Sequence, residues 1–370
     1  MKIAPFIQKI KAYNKVNGNI VQHLLVHTGQ HYDDRMSEAF FQELNIPKAD
    51  INLGIGSGTH AEQVGNTMIA FEKVLIKDKP DWVVVVGDVN ATLACTVTAK
   101  KEGIKCCHIE AGLRSNDMGM PEEINRLVTD RLSDLLLAPD KFSVNNLKME
   151  GVDKKKIVLV GNIMIDTLEQ NKTRALLINY KDILINALDG QIGKVKYFSK
   201  LEKYGLITMH RPQNVDDKQI FKGISDWIIK KASKQLPFIW VLHPRAFEQA
   251  SQFKILKKLI ECKKILLLKP IRYLEMLKLN MNAKLMLTDS GGLQEECCVL
   301  GTPFLTLRWN TERPITLVEN GGTGYLAGNN IDSIKLNFSK IINKTRVPSK
   351  PILWDGNTSE RILNAILSSV

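Results

Sequence analysis

Short apolar runs alternate with longer helical patterns along this chain, in two successive series. Candidate strands of the first series lie at residues 20–26, 82–86, 106–109, 135–138 and 157–160. Those of the second lie at residues 206–209, 238–242, 265–268, 285–287 and 304–307. Because most runs are apolar throughout, they favour parallel strands covered on both faces, and the alternation predicts a doubly wound α/β fold.

The series restarts after residue 165, and a polar, helical stretch at residues 166–203 separates the two halves. A chain of 370 residues is long enough for two domains of ordinary size. We therefore predict two Rossmann-like domains, the first over residues 1–165 and the second over residues 166–354. The final helix, within residues 355–370, is expected to join the first domain.

Composition argues against several classes of protein. The sequence has 44% hydrophobic residues and no run of eighteen apolar residues, which predicts a globular protein without a transmembrane helix. The N-terminus lacks the apolar core of a signal peptide. None of the six cysteines has metal-ligand spacing, so we expect reduced thiols in a cytoplasmic protein. The net charge of +12 comes from scattered lysines, which argues against nucleic-acid binding.

The most informative segment covers residues 285–296, where an apolar strand ends in a turn with two glycines and a helical pattern follows. Glycines let the backbone approach a ligand, and the free N–H groups and dipole of a helix start attract an anion such as phosphate. Ser290 adds a hydroxyl, and Glu296 could accept a hydrogen bond from a sugar hydroxyl. The alternative is an ordinary turn in which Ser290 is the N-cap of the helix.

Polar residues, many of them ionisable, follow strand after strand at the carboxyl edge of both predicted sheets, where ligands bind in such folds. They occur at residues 27–31, 87–88, 110–114, 161–162, 210–211, 243–245 and 289–292. If the two domains face each other, these residues would line a polar cleft. Glu110 directly follows a strand, and a buried carboxylate there needs a partner, for which Arg114 or His108 is a candidate.

Several of these residues also have structural interpretations. Asp88 could cap the helix that begins near residue 90. Glu122 and Glu123 could complement the dipole of the helix in which they lie. His210 could be a core histidine with satisfied hydrogen bonds.

Residues 108–115 (HIEAGLRS) and 120–126 (MPEEINR) resemble the hallmark segment of the non-hydrolysing UDP-N-acetylglucosamine 2-epimerase family. Further matches follow in family order at residues 28–31, 87–88, 160–162, 210–211, 288–292 and 311–314. The resemblance spans nearly the whole chain. It implies two Rossmann-like domains facing across a cleft in a GT-B arrangement, a homodimer, and a reaction without NAD or metal.

That reaction is the reversible epimerisation of UDP-N-acetylglucosamine to UDP-N-acetylmannosamine at carbon 2, by elimination and re-addition of UDP, which supplies precursors for surface polysaccharide. By resemblance, the acid/base carboxylates are Asp88, Glu110 and Glu122, and His210 lies at the diphosphate or leaving group. The residues implied to bind substrate are Ser290, Gly291 and Gly292 for phosphate, Glu296 for ribose, and Arg313 for the diphosphate or the closed cleft. Gln30, His31, Arg114, Arg126 and His243 complete the set, for substrate or for an allosteric second UDP-N-acetylglucosamine.

One departure from the family concerns the beginning of the chain. Family members begin with a strand and a Gly-Thr-Arg-Pro-Glu turn before a segment like residues 2–7, and we expect upstream codons to encode this usual first strand. Two alternatives to the epimerase stay open. One is another GT-B enzyme, either a retaining glycosyltransferase or a 2-epimerase of a related UDP-sugar, and the other is a truncated inactive homologue. A glycosyltransferase would not need Glu110 and Glu122, which favours the epimerase.

Overall fold

The structure, a computed structural model, describes residues 1–29 and 43–369. The chain divides into two compact units, of which the first comprises residues 1–167 and 351–370 and the second residues 168–350. Within the described ranges, no helix is long and apolar enough to cross a membrane. All six cysteines are free thiols.

The first unit is built from alternating helices and short parallel strands. Its elements are α1 (Ile3–Asn17), β1 (Val26–His27), β2 (Ile51–Asn52), α2 (His60–Asp78), β3 (Trp82–Val86), α3 (Asn90–Lys101), β4 (Lys105–Ile109), α4 (Pro121–Leu132), β5 (Leu135–Ala138), α5 (Lys141–Met149), β6 (Ile157–Leu159), the beginning of α6 (Ile163–Leu177), and the last helix of the chain, Thr358–Leu367. Strands β3-β4-β5-β6 form one parallel sheet in that order, and β1-β2 form a separate parallel pair. Helices therefore cover both faces of the four-stranded sheet.

Two apolar clusters hold these layers together. On one face, Phe6 of α1 packs with Ile109 of β4 and with Ile362 of the last helix. On the other face, Phe71 of α2 packs with Val83 of β3. Burying each such side chain contributes roughly 1.5–3 kcal/mol, so the last helix is an integral part of the first unit.

The predicted strand at residues 20–26 is wrong except for its last residue, since regular pairing covers only Val26 and His27. The backbone before Val26 forms hydrogen bonds with side chains, and not with a neighbouring strand. Asn14 accepts from the N–H of Val21 at 3.0 Å and donates to its carbonyl at 2.7 Å, and Asp50 accepts from the N–H of Leu25 at 2.7 Å.

The second unit contains a single six-stranded parallel sheet among its described residues. Its elements are the end of α6, α7 (Tyr180–Leu184), α8 (Ile192–Phe198), β7 (Gly205–Thr208), α9 (Pro212–Val215), α10 (Lys218–Trp227), α11 (Ser233–Gln235), β8 (Phe238–Val241), α12 (Pro244–Gln252), α13 (Leu256–Glu261), β9 (Ile265–Leu268), α14 (Tyr273–Asn282), β10 (Leu285–Thr288), α15 (Gly291–Leu300), β11 (Phe304–Thr306), β12 (Gly324–Leu326) and α16 (Ile331–Ile341). The strand order is β12-β11-β10-β7-β8-β9. The chain therefore reverses its direction across the sheet between β7 and β10.

Continuous apolar runs form these strands because both faces of the sheet are covered. Phe238 and Trp240 of β8 enter one core cluster, and Ile239 and Val241 enter the other. At the start of the neighbouring strand, a Cβ atom on Gly205 would lie 2.2 Å from the ring of Phe238, so only glycine leaves room for that ring. The two doubly wound units confirm the predicted α/β fold class.

Candidate active site

The carboxyl ends of β7 and β10 form the switch point of the second sheet. The two strands are hydrogen-bonded neighbours, with Thr208 opposite Thr288. In open α/β sheets, the crevice at such a point is where ligands bind. His210 follows β7 and Ser290 follows β10, so the structure brings two of the predicted site residues together.

Asp289 connects the two loops at this point. Its buried carboxylate accepts hydrogen bonds from the N–H groups of His210 and Arg211 and from Nδ2 of Asn214, each at 3.0 Å, and it lies 2.9 Å from Nδ1 of His210. Burial alone would raise the pKa of Asp289, but hydrogen bonds from His210 and the neighbouring donors outweigh it and hold that pKa below its ordinary value. The His210 side chain keeps 34% of its surface exposed, which excludes the core-histidine interpretation.

The turn after β10 leads into a helix start that, in the described ranges, has no side-chain cap. Ser290 is the N-cap residue of α15 by backbone conformation, but its side chain makes no capping hydrogen bond within the described part of the chain. The hydroxyl of Ser290 and the first N–H groups of α15 therefore do not hydrogen-bond to each other. Together with the helix dipole, these groups are suited to an anion.

Arg313 packs against the first residue of α15. A Cβ atom on Gly291 would lie 2.6 Å from Nη1 of Arg313 and 2.8 Å from Oε1 of Glu312, so a larger residue there would displace the ends of these side chains. Glu295 binds Nε of the same arginine at 2.6 Å, and Arg308 binds Glu312 at 2.8 Å. Burial would raise the pKa of Glu312, but the two arginines outweigh it and hold that pKa well below its ordinary value. The predicted contact of Arg313 with the diphosphate stays a prediction.

His243 lies beside His210 at the same edge of the sheet. The centroids of the two rings are 5.4 Å apart, and Nδ1 of His243 accepts a hydrogen bond from the N–H of Arg245 at 3.2 Å. Burial lowers the pKa of His243, and the neighbouring His210 lowers it further. A neutral ring whose Nδ1 accepts carries its proton on Nε2. The His243 ring thus places an Nε2–H donor beside His210.

Glu296 is a buried acid inside α15. Its residue surface is 2% exposed, and burial raises the pKa of its carboxyl from 4.5 to about 8, against a smaller opposing effect of a hydrogen bond from Tyr273. The neighbouring Glu295 raises that pKa further. The predicted contact of Glu296 with ribose hydroxyls stays a prediction, and the carboxyl is costly to ionise where it lies.

We expect Glu296→Gln to stabilise the protein increasingly as the pH rises. A carboxyl whose pKa is higher in the folded than in the unfolded state makes its full contribution to the free energy of unfolding below the unfolded pKa. That contribution is lost as the pH rises through the folded pKa. Near pH 5 the variant should melt close to wild type, whereas near pH 8 it should be more stable by roughly 4 kcal/mol, at about 1.4 kcal/mol per pKa unit. Denaturant unfolding across this pH range measures the difference.

Glu295→Gln is the matched control for that series. The change removes a buried ion-pair partner of Arg313, so it should lower stability at every pH in the range. A stability gain of Glu296→Gln that does not depend on pH would contradict the raised pKa.

In the first unit, Glu110 combines backbone strain with an unsatisfied carboxylate. Its φ of +72° lies in the left-handed region, which costs roughly 1–2 kcal/mol for a residue with a side chain. The N–H of Glu110 is held by the carbonyl of Leu137 at 3.1 Å. Oε2 lies 2.5 Å from Nζ of Lys2, whereas Oε1 is buried and has no hydrogen-bond partner in the described ranges. A buried oxygen without a donor is costly, so this carboxylate is a candidate for contact with a ligand.

Asp88 binds an arginine and does not cap a helix. The N-cap of α3 is Val89, so the capping interpretation is wrong. Instead, Nη1 of Arg126 donates to Oδ2 of Asp88 at 2.5 Å. The Asp88 side chain is 25% exposed, so this carboxylate, unlike that of Glu110, is partly accessible to solvent.

The two glutamates at the start of α4 have different environments. Glu123 accepts hydrogen bonds from the N–H groups of Ser115 and Asn116 and from Arg126. Burial raises the pKa of Glu123, but these donors outweigh it and the pKa falls below its ordinary value. Glu123 is therefore structural. Glu122 lies in the same helical turn and is half-buried, and its catalytic assignment stays a prediction.

The expected pairing of Glu110 with Arg114 or His108 is wrong, because both bind Asp130 of α4. Asp130 lies 2.6 Å from Nδ1 of His108 and accepts from Arg114 at 2.7 Å, and Arg114 also binds Glu150 at 2.7 Å. Asp130 accepts the N–H of Gly112 at 2.9 Å as well, which fixes the loop that carries Glu110. Because its guanidinium binds both Asp130 and Glu150, Arg114 stabilises the loop that carries Glu110.

Sequence reasoning missed Lys2 and assigned no role to Asp289. Each acts through a partner far along the chain, since Lys2 binds Glu110 and Asp289 binds His210. Gln30 and His31 lie outside the described residues. Within residues 1–29 and 43–369, no group of histidine, cysteine or carboxylate side chains is placed to hold a metal ion.

The fold and these two sets of residues define an α/β enzyme of the GT-B type, with a helix start that has no side-chain cap among the described residues in one unit and a strained, buried glutamate in the other. The chain matches the family model for UDP-N-acetylglucosamine 2-epimerase over residues 14–367. It therefore belongs to the UDP-N-acetylglucosamine 2-epimerase family.

Named relatives and solved structures agree with this assignment. The UDP-N-acetylglucosamine 2-epimerase of Methanocaldococcus jannaschii is 40% identical over 99% of this chain and 95% of its own length. The protein of that name from Methanococcus maripaludis is 43% identical over 92% and 90%. The crystal structure of the M. jannaschii enzyme with UDP-GlcNAc and UDP superposes with a TM-score of 0.85, at 41% identity and 100% and 96% coverage. That of the Neisseria meningitidis enzyme bound to UDP-GlcNAc gives 0.84, at 29% identity and 99% and 96% coverage.

Proposed function

We propose that this chain interconverts UDP-N-acetylglucosamine and UDP-N-acetylmannosamine by inverting carbon 2 of the sugar. The observation that carries the proposal is Glu110, a strained residue with a buried carboxylate oxygen that no donor in the described ranges satisfies. The names of the relatives from M. jannaschii and M. maripaludis support the choice of substrate.

The proposed reaction is elimination followed by re-addition. A carboxylate removes the hydrogen from carbon 2, the bond from carbon 1 to the diphosphate oxygen breaks, and UDP leaves with the electron pair. The sugar then holds a double bond between carbons 1 and 2, as a 2-acetamidoglucal. UDP adds back to carbon 1 while an acid delivers a proton to the opposite face of carbon 2. The route moves protons and UDP but no hydride, so it calls for no NAD.

The described residues divide between the two halves of this chemistry. Asp88, Glu110 and Glu122 of the first unit supply acid and base for carbon 2. In the second unit, the turn at residues 290–292 binds phosphate and His210 stabilises the departing diphosphate. Glu296 holds the ribose, and Arg313 supports the phosphate turn through Gly291.

Incubation of UDP-N-acetylglucosamine with the protein in deuterated water tests the reaction. Deuterium should enter carbon 2 of both sugars, and free UDP and 2-acetamidoglucal should leak out slowly. NMR and mass spectrometry measure both products. Epimerisation without deuterium would contradict elimination, and release of free N-acetylmannosamine as the main product would indicate hydrolysis. Stabilisation by UDP in a thermal shift assay, with no turnover of UDP-N-acetylglucosamine or of a related UDP-sugar, would identify an inactive homologue.

A related substrate is the second candidate. The UDP-2,3-diacetamido-2,3-dideoxy-D-glucuronate 2-epimerase of Pseudomonas aeruginosa is 37% identical over 92% of this chain and 89% of its own length. The two candidate substrates differ at carbon 3 and in the carboxylate at carbon 6, so their kcat/KM ratio decides between them. A ratio favouring the diacetamido uronic acid by tenfold or more would replace the proposed substrate.

We further propose that the protein acts in the cytoplasm as a homodimer and supplies a precursor of surface polysaccharide. Ile69 and Ile76 lie seven residues apart on α2 and are 60% and 57% exposed, which suits a face that a second copy covers. Sedimentation of wild type and of Ile69→Glu measures the assembly. Binding of a second UDP-N-acetylglucosamine as an allosteric ligand would appear as sigmoidal kinetics.

A further inference from the structure

Asp289 is a buried carboxylate that the proposed chemistry has not used. It lies between the end of β10 and Ser290, and it is fully buried. Three donors converge on its Oδ2 atom at 3.0 Å: the N–H groups of His210 and Arg211, and Nδ2 of Asn214. Its Oδ1 atom faces the ring of His210, with Nδ1 at 2.9 Å.

This arrangement determines which nitrogen of His210 is free to act. An ionised carboxylate only accepts hydrogen bonds, so Nδ1 must carry a proton where it meets Oδ1. The exchangeable position that remains is Nε2, on the opposite edge of an imidazole that is 34% exposed. A histidine held in this way can give or accept a proton only through Nε2.

We propose that Asp289 is a positioning residue, which fixes the Nδ1–H form of His210 so that Nε2 is directed to the diphosphate of the bound nucleotide sugar. Asp289 also connects two parts of the site. Its carboxylate binds the His210 loop, and its backbone continues directly into Ser290, the first residue of the phosphate turn. The histidine and the anion-binding turn are thereby held in one rigid arrangement. This assignment rests on the proposed function, in which His210 acts on the leaving group.

A purely structural role for Asp289 makes a different prediction. Asp289 also holds the backbone of the loop through His210 and Arg211, so any substitution at this position costs stability. If that were its whole function, activity would fall only with the folded fraction, and the protonation pattern of the His210 ring would not matter. The tautomer of His210 therefore separates the two roles.

Asp289→Asn is the informative variant. Because three donors meet at Oδ2, the amide oxygen should take that place and the amide NH2 should face Nδ1 of His210. Nδ1 must then accept, and the proton moves to Nε2. We expect ¹⁵N-resolved imidazole spectra to show Nδ1 protonated in the wild type, with and without UDP, and unprotonated in the variant. The kcat should fall about tenfold or more, with KM nearly unchanged.

Asn214→Ala is the matched control, since it removes one donor to Asp289 without touching the ring of His210. It should lower the melting temperature and leave Nδ1 protonated. An unprotonated Nδ1 in the wild type would overturn the proposal even if Asp289→Asn does not fold. An equal loss of kcat in both variants with an unchanged tautomer would also overturn it. Because the spectra need only UDP, a wild type with protonated Nδ1 but no turnover would refute the proposed reaction and not the positioning of His210.

Discussion

Replacement of Glu110 by glutamine is expected to lower kcat about a hundredfold or more, the usual contribution of a general acid or base. The amide keeps the shape of the side chain but cannot take up a proton from carbon 2. The variant should fold, because Lys2, the ion-pair partner of Glu110, is 29% exposed and its ammonium group can turn to solvent. Affinity for UDP should hold, since the proposed phosphate contacts lie in the second unit.

Glu123→Gln is the matched control for this prediction, with the opposite expected signature. Glu123 accepts several hydrogen bonds in a buried position, so its loss should destabilise the protein by roughly 1–3 kcal/mol. At a temperature where it stays folded, its kcat should remain near that of wild type. If Glu110→Gln retains most of its activity, or if it unfolds as readily as Glu123→Gln, Glu110 is a structural carboxylate.

Replacement of Gly291 by alanine is expected to weaken UDP binding about tenfold or more. The new methyl group would lie 2.6 Å from Nη1 of Arg313, whose guanidinium is fixed by Glu295 and Glu312. Either this buried ion-pair network or the start of α15 must move, at a cost of roughly 1–3 kcal/mol. Because the first N–H groups of α15 would hold the phosphate, their displacement reduces affinity. Isothermal titration with UDP measures the change.

Gly193→Ala is the control for Gly291→Ala, because it adds the same methyl group at a position away from the phosphate turn. Gly193 lies in α8, and a Cβ atom there meets nothing within 4 Å. The change should leave UDP affinity unaltered and raise stability slightly, by about 0.4–1 kcal/mol. Unchanged affinity in Gly291→Ala as well would show that this turn does not hold the phosphate.

The fold could be predicted from the sequence because buried parallel strands are encoded locally. A strand covered on both faces is an unbroken apolar run, as in Phe238–Val241 and Ile265–Leu268. Strands β2 and β12 were missed because they have two and three residues and no such run. Five of the six strands of the second sheet come from such runs, and the switch point between β7 and β10 locates His210 and Ser290.

The partners of the site residues could not be predicted in the same way. Lys2 and Glu110 are 108 residues apart in sequence, and His210 and Asp289 are 79 apart, so no local spacing connects them. His108 and Arg114 are close to Glu110 in sequence, but both bind Asp130, which lies 22 and 16 residues away from them. Proximity in sequence therefore suggested a pairing that a more distant carboxylate replaces.

The first unit is built from two separate parts of the chain, which affects the order in which the two units can fold during synthesis. Residues 168–350 form one continuous unit, whereas the first unit needs residues 351–370 as well as 1–167. Ile362 and Leu363 are almost fully buried in its core, yet they leave the ribosome after the whole second unit. Domains usually mature from the N-terminus during synthesis. Here the second unit can complete its core first, and a nascent chain should lose protease sensitivity in residues 1–167 only after residues 351–370 have emerged.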